Sequence, residues 1–582
     1  MAGGTRRRRV LLVATGLVVM WVVLATWLLA GARSTARSGA SALRGIRREA
    51  TIASLLKPAT RRDLDRAGGD FDRAASRLDN PLLWPLRAMP VLSRHVGAAR
   101  QGVEAARDGV AVADEALGSL RGLVARDHVQ GAQRLALLRD LAVTARRTDR
   151  ALADLELPSA RSLASPVGGP IGELAVQRAR ARTGARRLAA VSDALAQVIA
   201  GPDPYLLLGA NNAEMRTGSG MFLSATTLRF DRGTLDLDEV QPTANVVLAS
   251  RSVPVGGDLG RNWPWLDPGR DLRNVGLSAD FPQVAPVATA NWARVPGGAR
   301  TAGAVVVDVD GIRALLRAVG PIEVDGVRYT AANVRGELLR NQYRRFEGDR
   351  VDRRDQLGQV ARATFERLEK GRSWKVEDLA SALVDAVQGR HLLVWSRDRD
   401  LARVWRDAGA DGHLDGRSLS LAVMNRGAEK LDSWLATEAV VTGRRLADDR
   451  VRIDVRYRIT NRAPAEGPGY LVGPNVTGLS AGDHRGLVVV NVPGGSRQVT
   501  LAGARQFLAA GDGPTEVVAG EVTVRRGQTV TVTVAATLPP GVEQVVLEPS
   551  ARIPATRWRV DGHTVPGNRR RTVTPGRTND PP

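Results

Sequence analysis

Four rhythms of apolar and polar residues succeed one another along the chain. From Val10 to Ala32 no residue is charged across 23 positions, and Arg6, Arg7, Arg8 and Arg9 stand just before them. A helix of that length reaches about 34 Å at about 1.5 Å per residue, enough for a bilayer core of about 30 Å. The run is longer than the apolar region of a signal peptide, about 7 to 15 residues, which predicts a retained transmembrane helix over 10–32. The arginines predict that the tail, 1–9, stays in the cytoplasm and that the bulk of the chain lies outside it.

The second rhythm is helical and covers 33–200. Val96, Ala99, Val103, Ala106, Val110, Ala113, Leu117, Leu120 and Val124 recur at steps of three and four. Shorter seams run through Leu64, Ala67, Phe71, Ala75 and Leu78, and through Leu188, Val191, Leu195 and Val198. Such seams predict three or four helices packed as a spacer or bundle. Prolines at 81, 85 and 90 and the Ser, Gly and Pro-rich stretch 158–170 interrupt them.

Strand and helix then alternate over 201–435, predicting a central α/β domain. Tyr205–Leu208 reads as a strand, Gly209–Gly220 as a polar loop and Met221–Phe230 as a second strand. Beyond 436 the period falls to two: Val451, Ile453, Val455, Tyr457 and Ile459 alternate with polar residues. That predicts an antiparallel β-sandwich over 436–567, with a disordered tail at 568–582. The fold class expected is therefore multidomain α+β.

Composition narrows the chemistry. There is no cysteine, so thiolate catalysis, disulfides and cysteine-ligated metals are excluded. The net charge of +22 is carried almost wholly by arginine, spread over nearly every segment rather than gathered in a nucleic-acid module, so nucleic acid is not an expected partner. Residues 33–200 alone carry +11, a layer that favours anionic lipid headgroups or anionic wall polymers. The six histidines are not paired in sequence with a nucleophile elbow, which leaves little for a serine hydrolase reading.

The candidate site lies in the predicted loop. Asn211, Asn212, Glu214 and Arg216 can bind a metal-bridged phosphate or orient a hydroxyl; alternatively the asparagines brace a turn and Glu214 pairs with Arg216. A charged run further on adds Arg344, Arg353 and Arg354, whose guanidinium groups can grip phosphate through paired hydrogen bonds.

The order of features resembles the actinobacterial DUF4012 envelope proteins. The resemblance rests on the anchor, on Asn80-Pro81-Leu82-Leu83-Trp84-Pro85, on the terminal sandwich, and above all on Leu206-Leu207-Leu208-Gly209-Ala210-Asn211-Asn212-Ala213-Glu214-Met215-Arg216. Residues 205–370 also resemble, more distantly, the LytR-CpsA-Psr domain, which transfers polyprenyl-phosphate-linked glycopolymers. That second likeness implies a phosphate-binding pocket holding Arg216, Arg344 and Arg353 or Arg354, with Mg2+ as its metal. Asn211 or Asn212 stands where that family carries an aspartate, and the missing negative charge weakens a magnesium site unless Glu214 compensates.

Two functions follow. The first is a membrane-anchored extracytoplasmic scaffold or binder of anionic cell-wall or surface polysaccharide, with the lipid bilayer as partner and no cofactor. The alternative is a phosphotransferase moving a polyprenyl-phosphate-linked glycopolymer to the cell wall, with Glu214 and Arg216 as its catalytic residues.

Overall fold

A computed structural model of the chain describes residues 3–48, 52–55, 57–126, 129–161, 163–346, 350–371 and 374–577, with backbone alone at 3–16, 47–48, 52–53 and 350–355. It divides into two units, one of residues 1–126 and 136–193, the other of 127–135 and 194–582.

The first unit is helical. Its apolar helix α1 (Gly3–Arg48) continues unbroken past the uncharged run. Within it, Leu17–Ile46 is the one stretch among the described residues long and apolar enough to cross a membrane. Helix α2 (Pro58–Leu78) buries Leu64, Ala67, Phe71, Ala75 and Leu78, the seam expected from its spacing. It packs closely on α1 because Gly39 has no side chain: a Cβ there would stand 3.1 Å from the Phe71 ring. Helix α3 (Pro90–Val124) adds Ala106 and Val110 to the cluster of Leu64, Ala67 and Phe71. Helices α4 (Gly131–Asp154) and α5 (Ser165–Ala200) complete the helical stretch, but the seam expected in α5 does not hold: Leu188 and Leu195 are exposed, and the buried face one residue on carries Ala189, Ser192, Ala196 and Ile199.

The second unit opens with a mixed sheet. Strand β1 (Tyr205–Met215) lies antiparallel to β2 (Gly220–Asp231), which pairs with β3 (Thr234–Leu237), and on its other side parallel to β4 (Gly303–Asp308). Strand β5 (Leu392–Ser396) closes this series, antiparallel to β4. The polar loop expected at 209–220 is instead the continuation of β1 through Asn211, Asn212 and Glu214. Its register is irregular between Gly209 and Ala210 and between Asn211 and Met215, and Gly220 permits the close pairing, since a Cβ there would lie 2.5 Å from the Asn211 carbonyl. Polar side chains sit in this buried strand because other segments supply their hydrogen bonds. Asp310 and Gly311 form the first turn of the helix Val309–Val319, capped by Asp308.

Two further six-stranded sheets occupy the C-terminal region. One is built on Leu435–Arg445, antiparallel to Val451–Asn461, which pairs in turn with Thr529–Thr537. The other centres on His484–Pro493, between Ser418–Asn425 and Thr515–Val524. The strand Ser418–Asn425 thus precedes the boundary expected at residue 436. Both sheets are mixed rather than antiparallel, because Leu435–Arg445 takes Arg557–Val560, and Ser418–Asn425 takes Val545–Leu547, in parallel. Alternation tells which face of a strand is buried and says nothing of its neighbour's direction. Residues 571–573, expected to be disordered, pair with Val545–Leu547, while 578–582 lie outside the described residues.

One core cluster joins Val423, Val488 and Val518 with Val441, Ile453 and Val534, residues from both sheets. Another joins Leu206, Leu208, Trp263 and Trp292 to Met424, Val489 and Val517. Trp263 is therefore core, while Trp265 stays exposed, its ring 6.3 Å from that of Phe507.

Candidate functional site

The end of β1 forms one wall of a cavity of about 270 Å³ whose lining includes Asn211, Glu214, Arg216, Asp271, Arg273, Gln342, Tyr343, Leu357, Lys430 and Tyr470. The irregular register between Asn211 and Met215 breaks the alternation, so that Asn211 and Glu214, three residues apart, both line it, whereas Asn212 faces the other way. There Asn212 Nδ2 donates to Asp308 Oδ2 at 2.8 Å and to the Ala551 carbonyl at 2.7 Å, a bracing role. Asn211 Nδ2 donates to the Tyr343 hydroxyl at 2.8 Å.

Glu214 forms a buried ion pair with Lys430 rather than with Arg216. Lys430 Nζ also lies 4.4 Å from the centre of the Tyr470 ring, a cation–π contact. Arg216 is buried and committed to the fold: Nε donates to the Arg273 carbonyl at 3.0 Å, Nη1 to those of Met215 and Asn425 at 3.3 Å, and Nη2 to Asn274 Oδ1 at 3.4 Å. Burial lowers its pKa to about 10, so it remains cationic at neutral pH. Arg273 grips Asp271 through Nε at 3.0 Å and Nη2 at 2.6 Å, and that bonding raises its pKa.

The wall thus carries Arg216, Arg273 and Lys430 against Glu214 and Asp271, one cation in excess. A five-residue π-helix, Glu337–Asn341, precedes Gln342 and Tyr343; such π turns are frequent where a helix must re-aim side chains into a site. Gln342 is buried, and its Oε1 accepts no hydrogen bond from any described residue. A buried acceptor left open in a cavity wall is an unfilled place for a donor.

Arg344 is exposed and does not line this cavity. Arg353 and Arg354 lie in the helix Arg350–Lys370, and their side chains are outside the described residues. Among the described residues, no group of three or more His, Asp and Glu is arranged to hold a metal ion.

Sequence reasoning passed over Asp271, Arg273, Lys430 and Tyr470. Lys430 is one of only four lysines in the chain, a faint signal, and nothing local marks the others. It also passed over two polar networks. In the first, Asp308 Oδ1 accepts from the amides of Asp310 and Gly311, each at 2.9 Å, while Oδ2 accepts from Asn212 and faces His391 Nδ1 at 2.8 Å. Burial disfavours the His391 cation, but the charge and hydrogen bond of Asp308 outweigh it and raise the pKa.

The second network sits behind Met215. Asp432 Oδ2 accepts from the Met215 amide at 3.1 Å and from Asn425 Nδ2 at 2.9 Å, and Oδ1 from Arg552 Nη1 at 3.0 Å. His484 Nε2 lies 3.6 Å from Glu429 Oε1 and 3.7 Å from Asp432 Oδ1. Burial pushes Glu429 up to about 7. Burial acts against both Asp432 and the His484 cation, yet their mutual attraction holds Asp432 down at about 2 and raises His484, with Arg552 helping on Asp432.

Folded Glu429 keeps a proton that the unfolded chain loses near 4.5, and the stability tied to the His484 cation is lost as pH rises through its raised folded pKa. Stability is therefore expected to fall from about pH 5 to pH 8, with Glu429 contributing at most about 3 kcal/mol. Denaturant melts of the full chain across that range are expected to show the decline, and a markedly flatter one in E429Q. An equal slope in the two proteins would remove Glu429 as its source.

Residues 200–343 match the family model described as protein of unknown function (DUF4012), so a DUF4012 domain is present there. No curated protein and no solved structure matches the chain. The cavity takes Asn211, Glu214, Arg216, Arg273 and Tyr343 from the matched span, and Leu357, Lys430 and Tyr470 from beyond it.

Proposed function

We propose that the chain is a membrane-anchored envelope protein that binds an anionic cell-wall or surface polysaccharide through the cavity at the end of β1, without turnover. The observation that carries this reading is the composition of the wall: three cations against two carboxylates, with amides, tyrosines and the open oxygen of Gln342 among them. Sugars offer many hydroxyls to such groups, and an acidic substituent answers the extra cation. At about 270 Å³ the cavity is near the lower end of ligand pockets, about 300–1,000 Å³, which suits one unit of a polymer. In this reading α1 is the single span, the arginines at 6–9 keep the short tail in the cytoplasm, and the two C-terminal sheets form a sandwich facing the wall.

The test uses the full chain in detergent micelles, with polygalacturonate as the anionic probe and dextran as the neutral one. Polygalacturonate is expected to bind more weakly as salt rises, and Tyr470→Ala and Arg273→Ala are each expected to weaken it at least about tenfold, equivalent to about 1.4 kcal/mol. Equal retention of dextran, or variants that bind as the parent does, would overturn the reading.

The phosphotransferase reading has one observation in its favour, the presence of Glu214 and Arg216 in a single cavity wall. Against it stand the commitment of Glu214 to Lys430, the backbone bonding of Arg216 and the exposed position of Arg344. Release of polyprenyl monophosphate from a polyprenyl-pyrophosphate-linked glycopolymer as its glycosyl phosphate passes to a wall hydroxyl, reduced in Arg216→Ala, is the result that would restore it.

A further inference from the structure

The helical unit carries apolar surface that its own packing leaves uncovered. Between α2 and α3 the segment Asn80–Leu92 holds a single charged residue, Arg87. Its inner side packs on the anchor: Leu83 and Leu86 join Val96, Ala25 and Leu28 in one cluster. Its outer side exposes Leu82, Trp84, Met89, Val91 and Leu92, with Trp84 60% and Val91 68% accessible. On the stretch of α1 beside it, Val23 is 61% and Trp27 68% accessible.

Depth along α1 gives this patch its meaning. Trp21 Nε1 donates to the Leu82 carbonyl at 2.7 Å, and Arg77 Nη1 donates to the Gly31 carbonyl at 2.5 Å. Trp21 and Gly31 are separated by about 15 Å of helix at about 1.5 Å per residue. The chain therefore leaves the level of Gly31 at the end of α2, descends beside the apolar run to the level of Trp21, and returns along α3.

Backbone that enters hydrocarbon must satisfy its polar groups internally. Three of the residues here, Pro81, Pro85 and Pro90, have no amide hydrogen to satisfy. The Leu82 amide donates to Asn80 Oδ1 at 3.0 Å and the Leu83 amide to the Asn80 carbonyl at 2.9 Å. The Ala88, Met89 and Ser93 amides bond to the carbonyls of Pro85, Leu86 and Met89. Arg87 turns back toward the shallower end, with Nη2 3.4 Å from the Leu78 carbonyl and 3.7 Å from Asp79, as a cation does when it snorkels.

We propose that Asn80–Leu92 is a membrane-inserted wedge, lying in the leaflet nearer residue 33 with its outer side against acyl chains. The inference rests on the reading of α1 as a membrane span. The lipid bilayer is the occupant because the uncovered patch lies along the stretch of α1, Trp21 to Gly31, that in this reading is itself immersed in lipid. A bilayer-gripping wedge fixes the rotation of α1 relative to the membrane, which a lone helix does not.

The absence of cysteine makes the test direct. Single-cysteine chains V23C, W84C, V91C, L92C and V143C, each carrying a nitroxide, are reconstituted as the full chain in phosphatidylcholine vesicles. Collision rates are measured with oxygen, which partitions into lipid, and with a neutral nickel chelate, which stays in water. Val143, exposed on α4, reports the aqueous limit and Val23 the lipid limit. Labels at 84, 91 and 92 are expected to favour oxygen over nickel severalfold more than the label at 143. If 23 reports lipid while 84, 91 and 92 report water, the wedge is wrong and the anchor stands. If 23 itself reports water, the anchor reading fails and takes the wedge with it.

Discussion

Lys430→Met is expected to destabilise the second unit by about 3–5 kcal/mol, the cost of leaving a buried charge without its partner. Lys430 is 2% exposed at its side chain and Glu214 7%, so water cannot take the ammonium's place. Methionine retains most of the stem and keeps contact with Tyr470, which confines the change to the charge. The same loss is not expected when both charges go. In E214Q/K430M neither side carries an unpaired ion, and most of the stability of the parent should return, because the pair owes its worth to mutual cancellation rather than to a net gain over neutral groups. Hydrogen exchange of the β1 amides, read in the parent, both single variants and the double, measures the local loss directly. A loss below about 1 kcal/mol in K430M would mean that the pair behaves as a solvated surface bridge.

Asp432→Asn is expected to cost about as much, 3–5 kcal/mol by the same argument, and to change the acid response as well. Asp432 is fully buried and gathers the Met215 amide, Asn425 and Arg552 around one carboxylate. With asparagine in its place, Arg552 and His484 face each other without the anion between them. The carboxylate titrates at about 2 in the folded chain against 3.8 unfolded, so the stability it supplies is present above 3.8 and lost as pH falls through 2. Denaturant melts between pH 5 and pH 2 should show this loss in the parent and much less of it in D432N. A variant within about 1 kcal/mol of the parent at pH 5 would show that Arg552 finds another partner. Because Asp432 also holds the Met215 amide, D432N is expected to loosen β1, and polygalacturonate binding should weaken in parallel with its exchange protection.

Much of the architecture was legible because it depends on local period. The seam Leu64, Ala67, Phe71, Ala75 and Leu78 is buried residue for residue, and the alternation from Val451 to Ile459 corresponds to buried and part-exposed positions along one strand. The loop expected at 209–220 failed for a physical reason. Asn211, Asn212 and Glu214 look like turn residues when their partners are out of sight, and become strand residues once Tyr343, Asp308 and Lys430 satisfy them from 132, 96 and about 216 positions away. Likewise Arg571–Val573, in the polar tail, pair as a strand because Val545–Leu547 offers an open edge.

The amino-acid order by itself determined the apolar helix, the seam from Leu64 to Leu78 and the change to period two. These depend on residues within a few turns or pleats of one another, whose side chains must share a face whatever the rest of the chain does. Tertiary structure decided which charges meet. It set Glu214 on Lys430, committed Arg216 to backbone carbonyls, left Arg344 in solvent, and laid the Pro81–Pro90 turn along the apolar helix. The energy of a buried ion depends on the few ångströms around it, and those are filled by segments hundreds of residues apart.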